Sequence, residues 1–156
     1  MKATSIALAV STLLLVAPIN AHASEPWKVT TRYGVTDSDH SRPHRGIDYA
    51  LPSGTPIRSF TDGKVLSTRD EGHKSFGKSI SIVTAQNKVV IYGHLSKFLV
   101  SKGDTIKFGQ TIALSGNTGH STGPHLHIQV NINGKDIDPR PVIGGAMLRA
   151  IMTKEG

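Results

Sequence analysis

The chain reads as a mainly β, antiparallel domain on three observations. Short apolar runs are separated at close intervals by Gly, Asp, Asn and Ser. One run, Ser79-Ile80-Ser81-Ile82-Val83, puts its isoleucines on one face and its serines on the other, as in a half-buried strand. Asn133-Gly134 is a good two-residue hairpin turn, because both residues tolerate positive φ.

The strand candidates are, in order, Gly63 to Ser67, Ser79 to Thr84, Lys88 to Tyr92, Thr111 to Leu114 and Leu126 to Ile132. Turn signals punctuate them at Asp62-Gly63, Gly103-Asp104, Gly109-Gln110 and Asn133-Gly134. A single helix is expected near the C-terminus, around Ala146 to Thr153, as a packing element without a chemical role. No second domain, low-complexity segment or long linker interrupts this pattern.

The first 23 residues have a different character. Lys2 supplies a basic start, Ile6 to Val16 is apolar except for Ser11 and Thr12, and Ala21-His22-Ala23 is a small-x-small cleavage site. This predicts a secretory signal peptide cut after Ala23, and hence a periplasmic or secreted protein. The apolar run is shorter than the ~20 residues of a spanning helix, so no transmembrane anchor is expected after processing. Residues 24–156 then form one domain with a single core.

With no cysteine in the chain there is no disulfide framework, and any metal must be held by histidine and carboxylate. Losing Lys2 with the leader lowers the net charge from +7 to +6. A basic exported protein suits an anionic cell envelope, although the charge serves general solubility equally well. Aromatic residues are few and no Lys/Arg stripe alternates with them, so no nucleic-acid partner is expected.

Three segments carry candidate chemistry. In His125-Leu126-His127 the strand period sends both imidazoles to one face. Such a pair can bind a metal, shuttle a proton or do one of each, and it can equally be two packed histidines. His125 follows Gly123-Pro124 at the mouth of a loop, whereas His127 lies deeper in an apolar strand. In His44-Arg45-Gly46-Ile47-Asp48, positions 44, 46 and 48 share one side of an extended chain. The missing side chain of Gly46 leaves a gap for a cation between His44 and Asp48; a hydrogen-bonded His–Asp pair on a loop fits as well. In Tyr92-Gly93-His94-Leu95, His94 ends an apolar strand, and Gly93 permits close approach of another chain or a ligand.

Together these segments identify a resemblance. The chain resembles the M23 metallopeptidases, the lysostaphin and LytM type of peptidoglycan hydrolase. The match rests on the H-x-G-x-D segment at His44 to Asp48, on Tyr92-Gly93-His94-Leu95, and on the run from Ser115 to His127. Gly54-Thr55-Pro56-Ile57, Asp62-Gly63-Lys64-Val65, Lys102-Gly103-Asp104, Phe108-Gly109-Gln110 and Asp138-Pro139 agree with it, so that it covers roughly residues 32–141. The resemblance implies an antiparallel two-sheet, barrel-like fold (a duplicated hybrid motif) with a narrow active-site groove. It implies one zinc ion held by His44, Asp48 and His127, with His94 and His125 as further active-site histidines.

The implied reaction is hydrolysis of peptide cross-links in peptidoglycan by a zinc-activated water, whose pKa falls from about 15.7 to about 7. His94 and His125 would share the proton transfers and steady the tetrahedral oxyanion. No glutamate stands where the H-E-x-x-H zincins carry theirs, so imidazole must move the protons. The expected partners are stem peptides and cross-bridges of the wall.

The chain departs from the family pattern at Ser75-Phe76-Gly77-Lys78, where many relatives carry a Gly-x-Gly-Asn type turn. Gly77 is kept and Lys78 stands at the Asn position, which alters one groove wall. His120 is expected as an exposed loop residue. Asp37, Ser38 and Asp39 lie just before the candidate site, close enough in sequence for one of them to cover it. Two other functions fit the same resemblance: a non-catalytic scaffold or activator of other wall hydrolases, and a peptidase acting on a rival wall or another exported protein.

Overall fold

The computed structural model describes residues 27–36 and 42–144. The leader, Asp37 to Asp39 and the helix expected at Ala146 to Thr153 lie outside the described residues. Ten strands run through the rest: β1 (Val29–Thr31), β2 (Ile47–Ala50), β3 (Pro56–Arg58), β4 (Gly63–Asp70), β5 (Lys78–Val83), β6 (Lys88–Phe98), β7 (Thr105–Ile106), β8 (Thr111–Ser115), β9 (His125–Ile132) and β10 (Lys135–Ile137). A helical turn covers residues 140–144.

The chain adopts the mainly β, antiparallel architecture that its sequence predicts. The ladder runs β1-β2-β9-β6-β5-β4-β7, with β10 on β9 and β8 joining β6 to β3. All ten strands therefore belong to one hydrogen-bonded network, and the path does not close into a barrel. Two separate sheets do not arise because β6 changes partner along its length. Lys88 to Gly93 pair with β9, whereas Leu95 to Phe98 pair with β8. The expected hairpin is present: Asn133 and Gly134 both have positive φ, and Ile132 pairs with Lys135 across the turn.

Side-chain alternation divides the sheet into a core face and a groove face. Ile47 and Tyr49 of β2, Ile80 and Ile82 of β5, Val90 and Tyr92 of β6, and Leu126, Ile128 and Val130 of β9 are all buried in one core. Within it Phe60 stacks on Tyr92 at 5.7 Å, and its backbone N–H donates to the Tyr92 hydroxyl at 2.9 Å. Asp48, His127 and Gln129 lie between these core residues in sequence and so point to the other face. Periodicity thus places Asp48 and His127 side by side, and the register makes them direct cross-strand partners.

His94 does not end its strand, as the sequence suggested; β6 continues through it to Phe98. A regular strand would put His94 on the same face as Tyr92, in the core. Instead the register with β5 shifts between Lys78 and Ile80, and His94 has a φ of +59°. The extra residue of a bulge re-aims one side chain. Here His94 turns into the groove, Tyr92 and Leu95 stay in the core, and pairing resumes with Leu95 opposite Lys78.

Candidate metal centre

The groove is a cavity of about 820 Å³ with His44, Asp48 and His127 on its floor. The three side chains are buried, at 4–5 % exposure, and each offers a ligand atom. His44 Nε2 lies 3.1 Å from His127 Nδ1 and 3.3 Å from Asp48 Oδ2, and His127 Nδ1 lies 2.8 Å from Asp48 Oδ1. Tetrahedral ligands about 2.0–2.1 Å from zinc stand a little over 3 Å apart, so these spacings suit such an ion.

Protonation points the same way. His44 Nδ1 faces the Arg32 carbonyl at 3.3 Å and His127 Nε2 faces the Gln129 side-chain oxygen at 3.4 Å. A carbonyl only accepts, so with an ion between them each imidazole would keep its N–H outward and turn a lone pair inward in place of its hydrogen bond to Asp48. Two lone pairs and a carboxylate then converge on one point, an arrangement that a cation stabilises. Burial raises the Asp48 carboxyl, but hydrogen bonding with His127 and then His44 outweighs it, holding Asp48 well below the usual carboxylate range.

The Gly46 position departs from the sequence reading. A side chain there would meet the Ile128 carbonyl at 2.4 Å and the His127 ring at 2.6 Å. The gap between His44 and Asp48 admits the imidazole of His127 itself, with the common centre beyond it. Gly46→Ala is expected to destabilise the fold by about 1–3 kcal/mol and to weaken metal binding, because the added methyl pushes against backbone and ligand together. Thermal denaturation with and without zinc checks both effects.

His94 and His125 stand beside this trio, with ring centres 4.4 Å apart. His94 Nδ1 donates to the Thr118 carbonyl at 2.7 Å, which leaves Nε2 as the acceptor. Burial pushes the His94 imidazole down to about 4, with smaller contributions in the same direction from His125 and His127. His125 is more exposed, as its place at the loop mouth suggested, and its Nε2 lies 3.9 Å from Asp48 Oδ1. Its Nδ1 lies 2.8 Å from the Gly123 carbonyl and 3.1 Å from the Ser121 hydroxyl.

The support for His94 comes from two loops packed through glycine. Gly77 and Gly119 both have positive φ, and a side chain on either would come within 2.3 Å of the other's backbone nitrogen. Their contact holds Thr118, whose carbonyl receives the His94 proton and whose hydroxyl donates to the Leu95 carbonyl. Lys78, at the altered position, pairs with Asp70 away from the trio. His120 is exposed at the groove edge. Sequence reasoning missed Phe76, which stacks on His127 at 4.9 Å and covers Gly93.

His94 also links stability to pH. Its folded-state pKa lies below the unfolded value near 6.5, so the unfolded chain binds more protons between about 4 and 6.5. Stability is therefore full above pH 6.5 and falls as pH drops toward 4. In metal-free protein, His94→Gln is expected to flatten this dependence of Tm; an unchanged slope would contradict it.

The model of peptidase family M23 matches residues 42–139. The chain belongs to peptidase family M23. The peptidoglycan DD-endopeptidase ShyA of Vibrio cholerae is 44% identical over 96 residues, 62% of this chain and 22% of ShyA. The catalytic domain of the prophage-encoded M23 protein EnpA of Enterococcus faecalis superposes with a TM-score of 0.67 at 34% identity, covering 76% of this chain and 92% of that domain. A zinc-containing peptidase of Vibrio cholerae gives a TM-score of 0.65 at 38% identity, over 72% of this chain and 35% of that one. This M23 chain spans about a quarter of the length of the curated relatives it matches first.

Proposed function

We propose that this chain is a zinc metalloendopeptidase that hydrolyses peptide cross-links of peptidoglycan, in an exported protein that is periplasmic or secreted. The observation that carries the reading is the convergence of His44 Nε2, Asp48 and His127 Nδ1 in the groove, with two further imidazoles beside them. The zinc named for one structural neighbour and the DD-endopeptidase activity named for ShyA support metal and substrate class. A scaffold role has no need of five converging side chains, and nothing in the site favours it.

His44, Asp48 and His127 would hold the ion. When bound, zinc supplies Lewis acidity toward a scissile carbonyl and brings the pKa of water to about 7. His94, neutral and with only its Nε2 lone pair facing inward, takes the proton from the attacking water and delivers it to the leaving amine. His125 Nδ1 donates to the Gly123 carbonyl, and the Ser121 hydroxyl gives its own proton to Asn117 Oδ1 or to the same carbonyl, which leaves His125 Nε2 as an acceptor facing the groove. In that tautomer His125 Nε2 would accept a hydrogen bond from the attacking water and orient it beside His94.

The test is a digest of purified sacculi by the zinc-loaded protein, with a chelated control and products identified by mass. Chelator-sensitive conversion of cross-linked dimers to monomers is expected, and the masses name the bond. Intact sacculi with a zinc-loaded enzyme would overturn the substrate assignment.

A further inference from the structure

Beyond His127, on the same face of β9, the strand continues with two polar side chains, Gln129 and Asn131, that the chemistry above does not use; Gln129 lines the groove. Residues 127, 129 and 131 share one face of β9. The β9–β10 hairpin brings Asp136 directly opposite Asn131. Asp136 Oδ1 accepts from Gln129 Nε2 at 2.7 Å and from Asn131 Nδ2 at 3.1 Å. Arg45 approaches its other oxygen at 3.8 Å, and the Tyr33 hydroxyl donates to its backbone carbonyl at 2.9 Å.

These contacts leave one consistent pattern of protons. An ionised carboxylate only accepts, so Asp136 orients the Gln129 amide with its NH₂ toward the hairpin. The Gln129 oxygen must then face His127 Nε2, at 3.4 Å. An imidazole that donates from Nε2 is the tautomer whose Nδ1 lone pair can ligate an ion, exchanging the 2.8 Å Nδ1–Asp48 hydrogen bond for the ligand bond. Gln129 is itself buried, at 5 % exposure, so its orientation is not averaged by water.

We infer that Gln129 and Asp136 are positioning residues that fix the tautomer of His127 when it holds the ion, and that the Asn133-Gly134 hairpin presents Asp136 to Gln129. This rests on the metal centre proposed above. Ligand histidines generally depend on an acceptor behind their second nitrogen, and its loss costs about 10–100-fold in metal affinity.

The test measures zinc affinity by chelator competition, alongside the ¹⁵N signals of the His127 ring in zinc-loaded protein. Gln129→Leu, which keeps the volume and removes the acceptor, is expected to bind zinc about 10–100-fold more weakly and to lose the Nε2–H signature. Gln129→Glu alone sets two carboxylates against each other and is expected to bind weakly as well. Adding Asp136→Asn supplies an NH₂ to the new carboxylate, so the double variant recovers most of the affinity. That recovery distinguishes orientation of His127 from a merely structural role, and circular dichroism reports that each variant is folded. Wild-type affinity in Gln129→Leu, or a double variant no better than Gln129→Glu, overturns the inference alone. A wild-type protein that binds no zinc overturns the metal centre and this inference with it.

Discussion

His127→Ala is expected to lose bound zinc and with it all chelator-sensitive hydrolysis. In the proposed centre His127 is one of three protein ligands among the described residues, and it sits opposite Asp48 on β2 and under Phe76. Two remaining ligands cannot define a closed side of a tetrahedron, so the loss exceeds the about 10–100-fold that follows from removing a partner behind a ligand. Removing the buried ring also leaves a hole under Phe76. Some thermal destabilisation is therefore expected, and circular dichroism must accompany the metal analysis. A folded His127→Ala protein that keeps one zinc per chain after dialysis would show that the ligand set is wrong.

His94→Gln is expected to do the opposite: full zinc occupancy with turnover lowered by about 10²–10⁴-fold, the usual worth of a positioned general base. Glutamine can still donate to the Thr118 carbonyl, so the β6 bulge and the Gly77–Gly119 contact are preserved. What it lacks is a basic nitrogen facing inward. The two variants separate the roles assigned to adjacent imidazoles, because one removes metal and the other removes proton transfer. Loss of zinc from His94→Gln would make His94 a ligand; unchanged kcat/KM would remove it from the reaction.

The long strands were legible for a physical reason. Each buries one face, and Ser79 to Val83 writes that face directly into the sequence. The expected starts at Gly63, Lys88 and Thr111 match β4, β6 and β8, although β4 and β6 both run further than their apolar stretches. The short strands β1, β3, β7 and β10 have two or three residues each, too few to display a period. β2 escaped notice because Ile47, Asp48 and Tyr49 are all buried, one of them as a polar site residue, so no exposed position marks an alternation.

The site was legible to a different depth. The five residues named from the motifs do meet in one groove, but their arrangement depends on features with no local signature. The bulge that turns His94 away from Tyr92 follows from pairing with β5 and from the Phe76 carbonyl that accepts the His94 backbone N–H at 2.9 Å. Gly46 was read as room for a cation, whereas the close approach of β9 fills that room with an imidazole. Gln129 looks in the sequence like any polar residue on the open face of a strand. Only the hairpin register, which sets Asp136 against it, reveals what its amide is doing.

The most direct test returns zinc stepwise to chelator-stripped protein and follows cleavage of cross-linked muropeptide dimers against the zinc-to-protein ratio. The account predicts no cleavage without metal, a linear rise, and a plateau at one zinc per chain. Cleavage by the stripped protein, or a plateau reached only at two equivalents, would contradict a single His44–Asp48–His127 centre.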